Sequence, residues 1–83
     1  MPRLTEATKQ ARRRQIIDAA FTCFTAKGYT HTSMTDIIKE SGLSSGSIYS
    51  HFSGKSDILH ATIQQRIDMI AAAYGELKDP SPR

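Results

Sequence analysis

The sequence predicts an all-α fold: a bundle of three helices, the last two joined by a tight turn, followed by a longer fourth helix. Three observations predict it. Apolar residues recur at spacings of three and four over 5–27 and again over 55–78. Capping residues and glycines fall where those stripes start and stop. No segment carries the apolar–polar alternation of a half-buried strand. Eighty-three residues make one small domain with a modest core, which argues against a large catalytic cleft or a second domain.

Helix one is predicted from Thr5 to Lys27, with Ile16, Ile17, Ala20, Phe21 and Phe24 on one stripe. Thr5 caps its start, and Gly28 closes its end in a left-handed conformation. After a short loop from Tyr29 to Thr32, Ser33 with Asp36 three positions on forms a capping box. Helix two then runs to about Ser41 on the apolar face Met34, Ile37 and Ile38. Gly42 breaks it, Leu43 plugs the corner and Ser44 caps helix three, which is predicted to last to about Phe52. Ile48 and Phe52 lie four apart and face inward, leaving Ser45, Ser47, Tyr49, Ser50 and His51 largely outward.

Ser53 and Gly54 make the next break. Helix four starts near Lys55, where Asp57 complements the helix dipole in the first turn. Leu59, Ile63, Ile67, Ile70 and Tyr74 carry its stripe, and Asp79-Pro80-Ser81-Pro82 ends it. From Lys55 to Lys78 this is about 36 Å of helix, more than three short helices can cover. Its proximal half is expected to pack on helix one. Ile67, Met69, Ile70 and Tyr74 are expected to remain as surface that awaits a partner.

Charge is uneven. The chain carries +3, but residues 1–14 hold Arg3, Lys9, Arg12, Arg13 and Arg14 against Glu6, a balance of +4, while the remainder has six basic and seven acidic residues, a balance of −1. Such a basic segment suits phosphate, an acidic protein surface or an anionic membrane, and a plain solvated helix turn has the same composition. The solitary Cys23 allows no internal disulfide and fits a reducing cytoplasm; beside Phe24 it reads as a small core residue. No signal-peptide core or membrane-length run occurs, so a soluble, intracellular protein with no membrane partner is expected.

Chemical motifs mostly fail on inspection. Gly54-Lys55-Ser56 resembles the end of a phosphate-binding loop, but Tyr49 stands where that loop needs its first glycine, and a helix precedes it instead of a strand. Lys55 is better read as a cation at a helix start that already favours anions, such as the phosphates of a nucleic acid. His31, His51, His60 and Cys23 lack metal-ligand spacing. No serine has a base or an oxyanion hole placed for it. Neither an enzyme, a cofactor nor a metal site is expected. The hydroxyls of helix three, with Tyr49, His51 and Lys55, can instead all donate to anionic oxygens.

Gly28-Tyr29, Thr32-Ser33-Met34, Asp36-Ile37, Gly42-Leu43-Ser44, Gly46, Ile48-Tyr49, His51-Phe52 and Lys55 resemble, in order and spacing, the N-terminal DNA-binding domain of TetR-family transcriptional regulators. The resemblance covers residues 10–70. It implies a helix-turn-helix over 33–52, preceded by a basic arm and the start of helix one over 1–9 and followed by the end of helix four and a polar tail over 71–83. By position, Ser45, Gly46, Ser47 and Ser50 would approach base edges, and Ser33, Thr35, Ser44, Tyr49, His51 and Lys55 would lie along the sugar-phosphate backbone. It further implies double-stranded DNA as partner, with a palindromic operator if the protein dimerises, repression as the usual role, and a bacterial cytoplasm as the setting. Ile38 departs from the pattern, which usually has alanine where the two helices cross. The chain also stops where helix four would enter a ligand and dimerisation domain, so effector binding and dimerisation are not carried over. The alternative reading is a protein-interaction module that pairs through helix four with a second copy or a full-length relative.

Overall fold

The computed structural model describes residues 5–77 as α1 (Glu6–Lys27), α2 (Met34–Ser41), α3 (Ser45–Tyr49) and α4 (Lys55–Leu77). No strand occurs among the described residues. Arg3 of the basic segment and the Asp79-to-Pro82 stop lie outside them.

Each boundary has a local cause. At the start of α1 the Thr5 hydroxyl accepts from Thr8 N at 3.1 Å; at its end Gly28 N–H donates to the Phe24 carbonyl at 2.8 Å. Gly28 has φ 85 and ψ 156, so the residue is indeed at positive φ, but in the extended glycine region and not in the left-handed helical one predicted. Both halves of the α2 capping box are present: Ser33 Oγ accepts from Asp36 N at 3.1 Å, and Asp36 Oδ2 accepts from Ser33 N at 2.9 Å. Lys27 Nζ reaches the same carboxylate at 3.1 Å, tying the end of α1 to the start of α2. Gly42 ends α2 in the left-handed helical conformation, φ 76 and ψ 6. The corner is then locked: Ser41 Oγ donates to Ile38 O and accepts from Leu43 N, and Gln15 Nε2 of α1 donates to Ser41 O at 2.7 Å.

α3 is shorter than predicted and stops at Tyr49, not Phe52. The Ser50 hydroxyl donates to Ser47 O at 2.6 Å, a side-chain bond of the kind that competes with helix continuation. His51 N and Phe52 N both turn onto Ile48 O at 2.9 Å. That last tight turn still delivers Phe52 to the core, where it is 4% exposed.

One cluster unites the helices: Ile16, Ile17, Ala19, Ala20 and Cys23 from α1, Ile37 from α2, Ile48 from α3, then Phe52 and Ile58. Each fully buried isoleucine contributes roughly 1.5–3 kcal/mol of transfer free energy. Phe24, Met34, Ile38, Leu43 and Ala61 pack half-buried around it, so Leu43 fills the corner as predicted, and Ile38 is taken up at the rim of the core. The proximal stripe expected to pack on α1 does so only in part. Ile58 and Thr62 are buried and Leu59, Ala61 and Gln65 half-buried, whereas Ile63 is 46% exposed; Ile67, Met69, Ile70 and Tyr74 are exposed, as expected. The turn after Phe52 presents α4 to α1 rotated by about one residue from the Leu59–Ile63 face. Polar groups reinforce that docking: Arg66 lies 4.1 Å over the Phe21 ring, and Gln65 Nε2 donates to Asp18 Oδ1 at 3.4 Å. Thr32, read as a loop residue, is 1% exposed; its hydroxyl faces the Gly28 and Cys23 carbonyls at 2.8 and 3.2 Å.

Candidate nucleic-acid interface

The second helix of the α2–turn–α3 unit has one buried residue, Ile48. Ser45, Gly46, Tyr49 and Ser50 are exposed and Ser47 is half-buried, so all four predicted base-facing positions lie on one five-residue helix and its cap. Their hydroxyls differ in what they can offer. Ser50 spends its proton on Ser47 O and presents lone pairs only. Ser44 accepts from Ser47 N at 3.1 Å, which leaves its own proton to donate. At Gly46 a Cβ would meet nothing within 4 Å, so the surface there is open.

The predicted phosphate-facing residues come from three elements. Ser33 and the exposed Thr35 stand at the start of α2, Ser44 and Tyr49 bracket α3, and His51 and Lys55 lie on the path into α4. Ser33 Oγ accepts from Asp36 N and its hydroxyl also turns to the Asp36 carboxylate, so unlike Ser44 it shares its proton with that acid. Lys55 is joined to the approach to α2 across 26 residues of sequence: Nζ donates to Tyr29 O at 2.8 Å, and Thr32 N donates to that same carbonyl at 3.1 Å. The ammonium also lies 4.2 Å from the Tyr29 ring centroid. Sequence reasoning missed Tyr29, because nothing local to a loop tyrosine signals so distant a contact.

It also missed Arg13, whose guanidinium sits 5.3 Å over the Phe52 ring. Lys9, Arg12, Arg13 and Arg14 all belong to α1, so this part of the basic segment is helical. Asp36 is the strongly perturbed acid here. The Ser33 backbone N–H, followed by the Lys27 ammonium and the Ser33 hydroxyl, lowers its carboxyl from 3.8 to about 2. Burial, then the charges of Glu40 and Asp36, pushes the Cys23 thiol up, as suits an inert core residue. Among the described residues no three His, Cys, Asp or Glu side chains converge as a metal site, and no helix is long and apolar enough to cross a membrane.

The profile of the bacterial regulatory proteins of the tetR family matches residues 16–62, more than half of the chain and the whole of the α2–turn–α3 unit. The chain belongs to the TetR family. The α2–turn–α3 unit lies wholly within the matched residues. The chain is 36% identical over 67 residues to an uncharacterised HTH-type transcriptional regulator, YfiR, of Bacillus subtilis, covering 81% of this chain and 33% of that one. It is likewise 36% identical over 66 residues to the HTH-type transcriptional regulator SrpR of Pseudomonas putida, with 80% and 31% covered. An uncharacterised HTH-type regulator of the same species, TtgW, is 36% identical over 66 residues, with 80% and 49% covered. The TetR-family chain thus spans about a third to a half of the length of these relatives.

Proposed function

We propose that α3 docks in the major groove of double-stranded DNA and that the protein acts in the bacterial cytoplasm as a repressor, two copies occupying a palindromic operator. The observation that carries the reading is α3 itself, a five-residue helix with one core anchor and its other side chains small or hydroxylated. In this reading Ser45, Gly46, Ser47 and Ser50 face base edges, Ser50 as an acceptor. Ser33, Thr35, Ser44, Tyr49, His51 and Lys55 take phosphates, which set register without reading sequence. Serine hydroxyls suit more than one base and glycine has no side chain to read with, so DNA shape supplies part of the specificity.

Titration of labelled duplexes at several salt concentrations tests it. Affinity should fall steeply with salt, the slope of log K on log salt being about 0.9 per phosphate engaged. Lys55→Ala should weaken every operator variant alike and flatten that slope by up to about one. Ser45→Ala should redistribute preference among variants by at most about 1–3 kcal/mol. Binding indifferent to salt overturns groove docking.

A second reading rests on the exposed Ile63, Ile67, Met69 and Ile70 of α4: the bundle carries a protein-binding helix. A protein that does only this shows no salt-dependent DNA binding.

A further inference from the structure

We propose that Tyr29 is a positioning residue for Lys55, holding its ammonium in place for a DNA phosphate before the DNA arrives; this rests on the DNA-docking reading above. One residue supplies two attractions of different kind. The Tyr29 carbonyl accepts from Lys55 Nζ at 2.8 Å, and the Tyr29 ring centroid lies 4.2 Å from the same nitrogen. A lysine head on a four-carbon stem otherwise samples many rotamers, and ordering it opposes every contact it makes. Here that ordering is done within the unbound fold.

The platform is itself anchored. The Tyr29 ring packs on Phe24 of α1 with centroids 5.3 Å apart, and its carbonyl also receives Thr32 N at 3.1 Å. Thr32 is in turn buried against Gly28 and Cys23. The chemistry of the partner matters as much as its rigidity. Among the described residues the one ion pair is Lys27–Asp36, so Lys55 is steered by a neutral carbonyl and a ring face, not by a carboxylate. Of its three N–H groups the carbonyl takes one and the ring shares a second, leaving a donor for a phosphate oxygen. Because the Tyr29–Thr32 turn leads directly into Ser33, the same anchor places Lys55 beside the start of α2.

The test combines a mutant cycle with a side-chain signal, using the whole 83-residue chain and a short labelled duplex at low salt. Tyr29→Phe, which keeps ring and carbonyl, should bind like the native protein. Tyr29→Leu should weaken binding about two- to fivefold, the equivalent of one cation–π contact at a partly exposed site, and should cost nothing more when Lys55→Ala is already present. In the native chain the Lys55 Hε resonances should be shifted upfield by the ring current, remain so in Tyr29→Phe, and return to ordinary positions in Tyr29→Leu. Equal loss from Tyr29→Leu in both backgrounds makes the tyrosine merely structural and overturns the proposal while leaving the DNA reading intact. Unshifted Hε resonances in the native chain overturn it without any variant. If the shift is present but Lys55→Ala costs no affinity, Lys55 meets no phosphate, and that part of the DNA reading falls together with the proposal.

Discussion

Two residues show how a few polar groups hold this small helical domain together. Thr32 is buried to 1% exposure with its hydroxyl between the Gly28 and Cys23 carbonyls, so it covers the end of α1 where the helix would otherwise leave acceptors unmet. Thr32→Val keeps the shape and removes the donor. It should lower stability by about 1–3 kcal/mol, the cost of buried acceptors left without a partner, and this is measurable as a fall in the urea midpoint at unchanged m-value. Asp36 makes a pH-dependent contribution. Its carboxyl titrates near 2 in the fold instead of 3.8, chiefly through the Ser33 backbone N–H and then Lys27, so between those values the folded chain binds fewer protons than the unfolded one. The stabilisation is complete above about pH 4 and lost as pH falls through about 2. Urea unfolding over that range should show stability declining with acid, and Asp36→Asn should be less stable at neutral pH but show a shallower decline.

At the scale of elements, what was legible in the sequence was what is local. Ser33 and Asp36 sit three apart, and Gly42 follows the last apolar residue of α2, so the cap and the stop can be read within one helical turn. Gly42→Ala tests the stop in isolation. A methyl there meets nothing within 4 Å while φ is +76, so the expected loss of about 1–2 kcal/mol in chemical denaturation is backbone strain alone. α3 was overextended because Ser50 bends back onto Ser47 O, a competition that composition does not reveal. The proximal face of α4 was misassigned in part because Leu59 and Ile63 are more apolar than Ala61 and Thr62, yet Ile58, Ala61 and Thr62 are what the turn after Phe52 delivers to α1. For the candidate interface, the helix and its exposed Ser45, Gly46, Tyr49 and Ser50 were legible, while Ser47 and His51, read as outward, are half-buried. The Tyr29–Lys55 link was not, since it spans 26 residues and has no periodic signature.

For the molecule as a whole, the consequence is a division of labour along α4. Its 23 residues span roughly 34 Å, and its last half-buried contact with the bundle is Gln65; Arg66 is exposed as it reaches over Phe21. Beyond that, Ile67, Met69 and Ile70 are 52%, 54% and 68% exposed. A residue that still meets water in the fold gains little by folding, so these three contribute little to the core despite being apolar. Ile67→Gln with Ile70→Gln should therefore change unfolding free energy by less than about 0.5 kcal/mol per site, as for other surface substitutions, and glutamine is no worse a helix former than isoleucine. The same pair of substitutions should abolish whatever concentration-dependent association sedimentation detects in the native chain, because contiguous exposed apolar surface is what drives it. The two measurements separate core from contact surface. A loss above about 2 kcal/mol in a dilute, monomeric sample would place Ile67 and Ile70 in the core in solution and remove the basis for a partner on α4. Unchanged stability with lost association would make the distal α4 the part that meets another protein surface and leave the bundle's stability independent of it.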